Sequence, residues 1–176
     1  MPAGRRRRRP HSDDPGRSPG LRREPAADDP DSREVVVTVL LVAEDDEDIA
    51  ALLLRMFRKT TFTVSRAVDG VDALRAIRES PPDVLLTDIG MPRMDGWALI
   101  HEVRADERSA EIPIAVISGQ LHPGDPRAAE YGVCALLTKP CPNEQVLNAI
   151  EQLAALGRHP HSVATIACRG LHLIPA

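Results

Sequence analysis

Aromatic side chains are nearly absent from this chain: one Trp, one Tyr and two Phe make up 2% of 176 residues. Any core must therefore be built from Leu, Ile, Val and Ala, which the 43% hydrophobic content can supply. Cysteine is scarce as well. Cys134, Cys141 and Cys168 form neither an even set nor a metal-ligand spacing. Reduced cytosolic thiols are the plain reading. No apolar run approaches the roughly 20 residues that cross a bilayer. The run from Val35 to Ala43 follows arginines but is no signal core, because no small-residue cleavage site follows it and five consecutive acids do. The expectation is a soluble cytoplasmic protein with no membrane insertion.

The formal charge of -4 conceals an asymmetry. Residues 1–34 hold nine Arg against seven acids, whereas residues 35–156 hold eleven Lys and Arg against nineteen acids. An acidic body lacks the cations that neutralise phosphates in nonspecific nucleic-acid binding. The length leaves room for one ordinary domain plus tails. Residues 1–34, rich in Pro, Gly, Asp and Arg with one Leu as the only large aliphatic after Met1, read as a disordered tail. Residues 35–156 read as the folded domain and residues 157–176 as a C-terminal extension with a weak apolar pattern.

Within the domain, short apolar runs alternate with helical periods. Strands are expected at Val37 to Ala43, Phe62 to Ala67, Val84 to Thr87, Ile112 to Ile117 and Ala135 to Thr138. Between them, Ile49, Leu52, Leu53, Met56 and Phe57 mark one helix face, and Val71, Leu74 and Ile77 a second. Trp97, Leu99, Ile100 and Val103 mark a third. Asp125 and Pro126 open a short fourth helix. Asn143 is expected to cap a fifth, with Val146, Leu147, Ile150, Leu153 and Ala154 inward. Five strands alternating with five helices predict an α/β fold, a doubly wound five-stranded parallel sheet in a single domain.

The stretch around which the chain is organised is DVLLTDIGMPRMDGW, residues 83–97. A buried strand runs into Asp88 and a turn follows at once, which places Asp88 at a strand's carboxyl end, where open α/β sheets bind ligands. Glu44 and Asp45, Ser118 and Lys139 stand at three other strand ends. Carboxylates crowded together call for protons or a cation, and an oxygen-only set suits Mg²⁺. Asp45 and Asp88 are the expected direct ligands, with the Gly90 carbonyl beside them and Glu44 acting through water. Lys139 and Ser118 could hold the remaining oxygens of a phosphoryl group, and a carboxylate can itself be the nucleophile. Phosphoryl transfer to Asp88 is the simplest chemistry.

The pieces LLVAEDD, LLTDIGMPRMDG, IPIAVISG and LLTKP, in this order, resemble the response regulator receiver domain of two-component signalling, over residues 38 to about 156. The resemblance implies a flavodoxin-like receiver fold and a phosphorelay in which Asp88 accepts phosphate from a phosphohistidine on a sensor histidine kinase or phosphotransfer protein. It implies Mg²⁺, with Glu44 and Asp45 as the acidic pair, Ser118 as the hydroxyl switch and Lys139 as the lysine before Pro140. It also implies no enzyme in the ordinary sense, since such a domain catalyses only its own phosphorylation and dephosphorylation. Leu136 departs from the family, which usually has an aromatic residue there. Gly90 offers no side chain to position or block a hydrolytic water, Gln120 is its only nearby polar counterpart, and the pair is expected to set the lifetime of the phosphorylated state. Cys141 stands where Phe is common and reads as packing.

No sequence beyond residue 156 looks like a DNA-binding or catalytic output domain. The expectation is a stand-alone, chemotaxis-regulator-like receiver acting on a downstream protein target or forming a homodimer, without direct DNA binding. Two rivals stand beside it. One is an unphosphorylated receiver-fold interaction module, suggested by Leu136. The other is an aspartyl-phosphate hydrolase of haloacid dehalogenase type, with Asp46-Glu47-Asp48 as its DxD signature; it lacks the expected cap region. Asp95 reads as a turn former, Gly96 as a position needing freedom in φ, Trp97 as packing or a partner contact. His101, His122, His159, His161 and His172 show no ligand spacing.

Overall fold

Five strands and five helices alternate along the chain in the computed structural model, which describes residues 37–121 and 125–161. The order is β1 (Thr38–Ala43), α1 (Glu47–Phe57), β2 (Phe62–Ala67), α2 (Gly70–Glu79), β3 (Val84–Thr87), α3 (Gly96–Ala105), β4 (Ile114–Ser118), α4 (Pro126–Glu130), β5 (Ala135–Thr138) and α5 (Asn143–Leu156). The strands form one parallel sheet in the order β2-β1-β3-β4-β5. The expected tail at residues 1–34 lies outside the described residues, as does most of the extension.

Alternation along the strands explains the two layers. Leu40, Val42, Val84, Leu86, Ala115 and Ile117 pack with Leu53, Phe57, Ile150 and Leu153 of α1 and α5. Their neighbours Leu41, Ala43, Leu85, Ile114 and Val116 point the other way, into Leu74, Ile77, Leu99, Ile100 and Val103 of α2 and α3. A central strand buried on both faces must be apolar at every position, which is why β3 and β4 read as continuous runs. With few aromatics, the one intimate Phe pair, Phe57 on Phe62, is edge to face at 5.7 Å.

Helix starts are set by acids. Asp46, Asp69, Asp95 and Asp125 each cap a helix through the side chain, accepting backbone N–H bonds at α1, α2, α3 and α4. Asp95 is thus a cap for α3 as well as a turn residue. Several details differ from the sequence reading. In α1 the buried stripe is Ala50, Leu53 and Phe57, while Leu52 is 66% exposed; the small Ala50 is what meets the sheet, rotating the face away from Leu52. In α2, Ala73 takes the inward place expected for Val71, which is exposed. Asn143 is the first residue of α5, not its cap; Pro142 precedes the helix and its carbonyl accepts from Gln145 and Val146.

Gly96 does not need a positive φ; Arg93 is the residue in that turn with φ near 62°. Glycine is required at 96 for space instead, because a Cβ there would collide with the Asp88 carbonyl oxygen and come within 2.8 Å of Ile89 Cα. The turn after β3 is therefore pressed against the start of α3. That contact holds the backbone of Asp88.

Candidate functional site

A parallel sheet aligns all strand carboxyl ends on one rim, and the change of winding between β1 and β3 opens a crevice there. Glu44 and Asp45 follow β1, Asp88 follows β3, Ser118 ends β4 and Lys139 follows β5. Backbone bonds lock these ends in register: Asp88 donates to Ala43, Glu44 to Ala67 and Lys139 to Ser118. The structure thus brings together the side chains singled out from sequence.

Lys139 is the hub. Its Nζ donates to Asp88 Oδ2 at 2.7 Å and to Glu44 Oε2 at 2.8 Å. Asp88 Oδ1 accepts from the backbone N–H of Ile89 at 2.5 Å and more distantly from Gly90. Burial alone would raise the Asp88 pKa, but hydrogen bonds from Lys139 and Ser118 and the lysine charge outweigh it and hold the carboxyl below its ordinary value. Asp88 is therefore an ionised carboxylate at neutral pH. Burial is also the leading influence on Lys139 and would lower it, yet the bonds to Asp88 and Glu44 win and keep it charged. For Glu44, only 1% exposed, burial prevails over the lysine and raises the pKa. The two acids sharing one ammonium are pushed in opposite directions.

Glu44, Asp45 and Asp88 offer carboxylate oxygens within 4.8 Å of one another. One ammonium cannot neutralise three carboxylates, so the ionised cluster has a charge deficit that a hard divalent cation would fill. The oxygen-only donor set fits Mg²⁺. Asp46, Glu47 and Asp48 are drawn instead into the start of α1, where Asp46 caps the helix and the following acids are exposed. They do not form a second acidic motif at the rim.

Gln120 lies over Gly90: a Cβ built on Gly90 would be 3.2 Å from Gln120 Nε2. Ser118 is buried, and its Oγ accepts from Gln120 N at 3.4 Å. Leu136 is half-buried and packs on the α2–α3 side of the sheet. Trp97 is buried, its ring 5.8 Å from Tyr131 and covered by the Arg127 guanidinium at 4.7 Å. Cys141 is half-buried beside Gln145 Oε1, and burial raises its pKa, as expected of a packing thiol.

Sequence reasoning missed Arg66. Its guanidinium donates to the carbonyls of Glu44 and Asp45 at 3.2–3.3 Å, bracing the acidic loop from β2. An arginine in an edge strand carries no sequence signal for that role. It also missed a second cluster. Cys134, His159 and His161 converge at the other end of the sheet, where Cys134 precedes β5 and the histidines follow α5. Burial, with the Arg104 charge next, pushes His161 down to about 3, so its imidazole is neutral.

The family model for the response regulator receiver domain matches residues 40–151, from inside β1 to inside α5. The chain belongs to the receiver domain family. Among curated relatives, the transcriptional regulatory protein PrrA of Mycobacterium tuberculosis is 35% identical over 116 residues, 65% of this chain and 48% of PrrA. The chain spans about half the length, or less, of the curated relatives it matches. Among solved structures, the receiver domain of a signal transduction histidine kinase from Syntrophus aciditrophicus is 26% identical, with a TM-score of 0.63, covering 68% of this chain and 91% of that one. A receiver domain of a Pseudomonas aeruginosa sensor histidine kinase, 23% identical with a TM-score of 0.62, covers 68% of this chain and 98% of its own; it was solved with a magnesium ion in its active-site cleft. Receiver domains therefore occur in this neighbourhood both beside transcriptional regulation and within kinases. Among the described residues no helix is long and apolar enough to cross a membrane.

Proposed function

We propose that this receiver domain is a phosphorylation switch in which Asp88 accepts a phosphoryl group from a phosphohistidine of a sensor kinase or phosphotransfer protein. The observation that carries the reading is the bridge from Lys139 to both Asp88 and Glu44. An Asp88 oxygen attacks phosphorus, the P–N bond breaks, and the departing imidazole nitrogen keeps the electron pair and takes up a proton. The product is an aspartyl phosphate. Asp88 is ionised and oriented by Ile89 N–H before the donor arrives, so little reorganisation is needed. Lys139 and the Ser118 hydroxyl are placed to meet the added oxygens.

Asp45, Asp88 and the Gly90 carbonyl are the groups proposed to hold Mg²⁺, with Glu44 acting through water. When bound, the ion supplies charge neutralisation for the transferring phosphoryl oxygens. The chain's chemistry in this reading acts only on itself, so it is a signalling protein and not an enzyme with turnover on a separate substrate.

Output is proposed to pass through the face of α4, β5 and α5, by binding a protein target or a second copy. Moving Ser118 toward phosphate would disturb β4, whose neighbour β5 pairs Leu136 with Val116 and Thr138 with Ser118. A chemotaxis-regulator-like output through protein contact, without direct DNA contact by this domain, is the favoured form, supported by the acidic domain charge. Phosphoramidate, whose P–N bond mimics phosphohistidine, provides the test. The reading requires an acyl phosphate, cleaved by hydroxylamine, in the peptide containing Asp88. Labelling confined to other peptides would defeat it.

A further inference from the structure

Cys134, His159 and His161 present one sulfur and two imidazole nitrogens to a common point. Cys134 Sγ is 3.0 Å from His161 Nε2 and 3.7 Å from His159 Nε2, and the two rings are tilted by 39° with centroids 4.4 Å apart. In a tetrahedral zinc site with Zn–S about 2.3 Å and Zn–N about 2.0 Å, sulfur and nitrogen ligands stand about 3.5 Å apart. The observed spacings bracket that value.

The tautomers are fixed by the other ring nitrogens. His159 Nδ1 is 2.7 Å from the Gly157 carbonyl and His161 Nδ1 is 3.1 Å from the Ala110 carbonyl. A carbonyl can only accept, so each Nδ1 carries the hydrogen and each Nε2 turns a lone pair toward the sulfur. Imidazoles oriented by an Nδ1–H to backbone carbonyl bond are the usual supporting arrangement around metal-bound histidine. The sulfur in turn accepts from the backbone N–H of Ile114 at 3.4 Å and lies 3.9 Å from the Gly132 carbonyl oxygen.

The surrounding chain is shaped for this approach. Gly132, at φ near 63°, lets His161 in: a Cβ there would meet His161 Cβ at 2.7 Å. Arg104 donates to the carbonyls of Ala110, Ile112, Tyr131 and Gly132, and it places a positive charge near His161. Two imidazoles alone would hold a cation poorly beside that charge. The thiolate supplies the compensation.

We propose that Cys134, His159 and His161 bind a borderline d-block cation of the zinc class. The ligand set, one thiolate with two imidazoles, selects against Mg²⁺ and so separates this site from the carboxylate cluster on the opposite rim. The cation fastens residues 157–161 to the start of β5 and to the loop after α3. It is a staple on the domain, independent of the phosphorylation reading.

The test uses the full chain, stripped with chelator, kept in a non-thiol reductant and supplied with excess Mg²⁺. Titration with Co²⁺ is expected to give a thiolate-to-metal charge-transfer band that one equivalent of Zn²⁺ displaces. Cys134→Ser abolishes the band, and His161→Gln weakens Zn²⁺ binding at least tenfold; Cys141→Ser leaves both intact. His161 is less buried than Cys134, so its variant decides the matter if Cys134→Ser fails to fold. No charge-transfer band in the natural protein, or unchanged Zn²⁺ affinity in His161→Gln, overturns the proposal.

Discussion

Replacing Lys139 with Ala removes the one ammonium that joins Asp88 to Glu44, and the cost can be worked from the contacts. At an effective dielectric of about 20, unit charges 2.7 Å apart attract by about 6 kcal/mol, with a similar figure for the second pair. Taking these ions out of water costs several kcal/mol each, so most of that attraction is offset. Breaking a fully buried pair costs about 3–5 kcal/mol. Lys139 retains 20% side-chain exposure and Asp88 13%, which moves the expectation to about 2–3 kcal/mol. The assay is urea unfolding of wild type, Lys139→Ala, Asp88→Asn and the double variant. If lysine and Asp88 interact as described, Lys139→Ala costs less in the Asp88→Asn background, with a coupling of about 1–2 kcal/mol. Additivity within about 0.5 kcal/mol would refute the reasoning. Lys139→Arg is expected not to rescue, because a planar fork does not replace a compact ammonium between two carboxylates.

Glu44→Gln should remove a pH dependence. Because burial raises its folded pKa above the ordinary 4.5, the stability linked to Glu44 is present below that value and lost as pH rises through the folded pKa. Urea midpoints from pH 4 to 7 should therefore show the variant gaining on wild type with rising pH; a gap that stays constant would contradict the assignment. Gly96→Ala is expected to cost at least about 2 kcal/mol, since its Cβ meets backbone that cannot yield, whereas Gly119→Ala, whose Cβ would lie 3.8 Å from Lys139 Cβ, should cost under about 0.5 kcal/mol. Equal costs would remove the close-approach argument. Gly90→Asn and Gln120→Ala should each change the hydrolysis rate of the phosphorylated protein, because Gln120 covers Gly90 beside Asp88. Unchanged rates in both would remove that role.

Much of the fold was legible because the central strands are buried on both faces and flanked by capping acids. Val84 to Thr87 and the turn after it could be read as a strand end carrying chemistry, and Glu44, Asp45, Ser118 and Lys139 followed from the same topology. What resisted reading has physical causes. Periodicity marks an apolar stripe without fixing its centre, so Leu52 and Val71 looked inward while Ala50 and Ala73 make the contact. A glycine can answer to space as well as to φ, as Gly96 does. Arg66 works through its bonds to backbone carbonyls, which leave no pattern in the sequence. Cys134 and His159 are 25 residues apart and meet only when α5 folds back along the sheet. The closely spaced pair His159 and His161 was the one local signal of that cluster.

The most direct measurement is intact mass after incubation with acetyl phosphate, with Mg²⁺ or with chelator, on wild type and Asp88→Asn, alongside a receiver of known activity. The account predicts gain of one phosphate in wild type with Mg²⁺, and none with chelator or in Asp88→Asn. No gain in wild type while the reference receiver is labelled would contradict it and favour an unphosphorylated binding module.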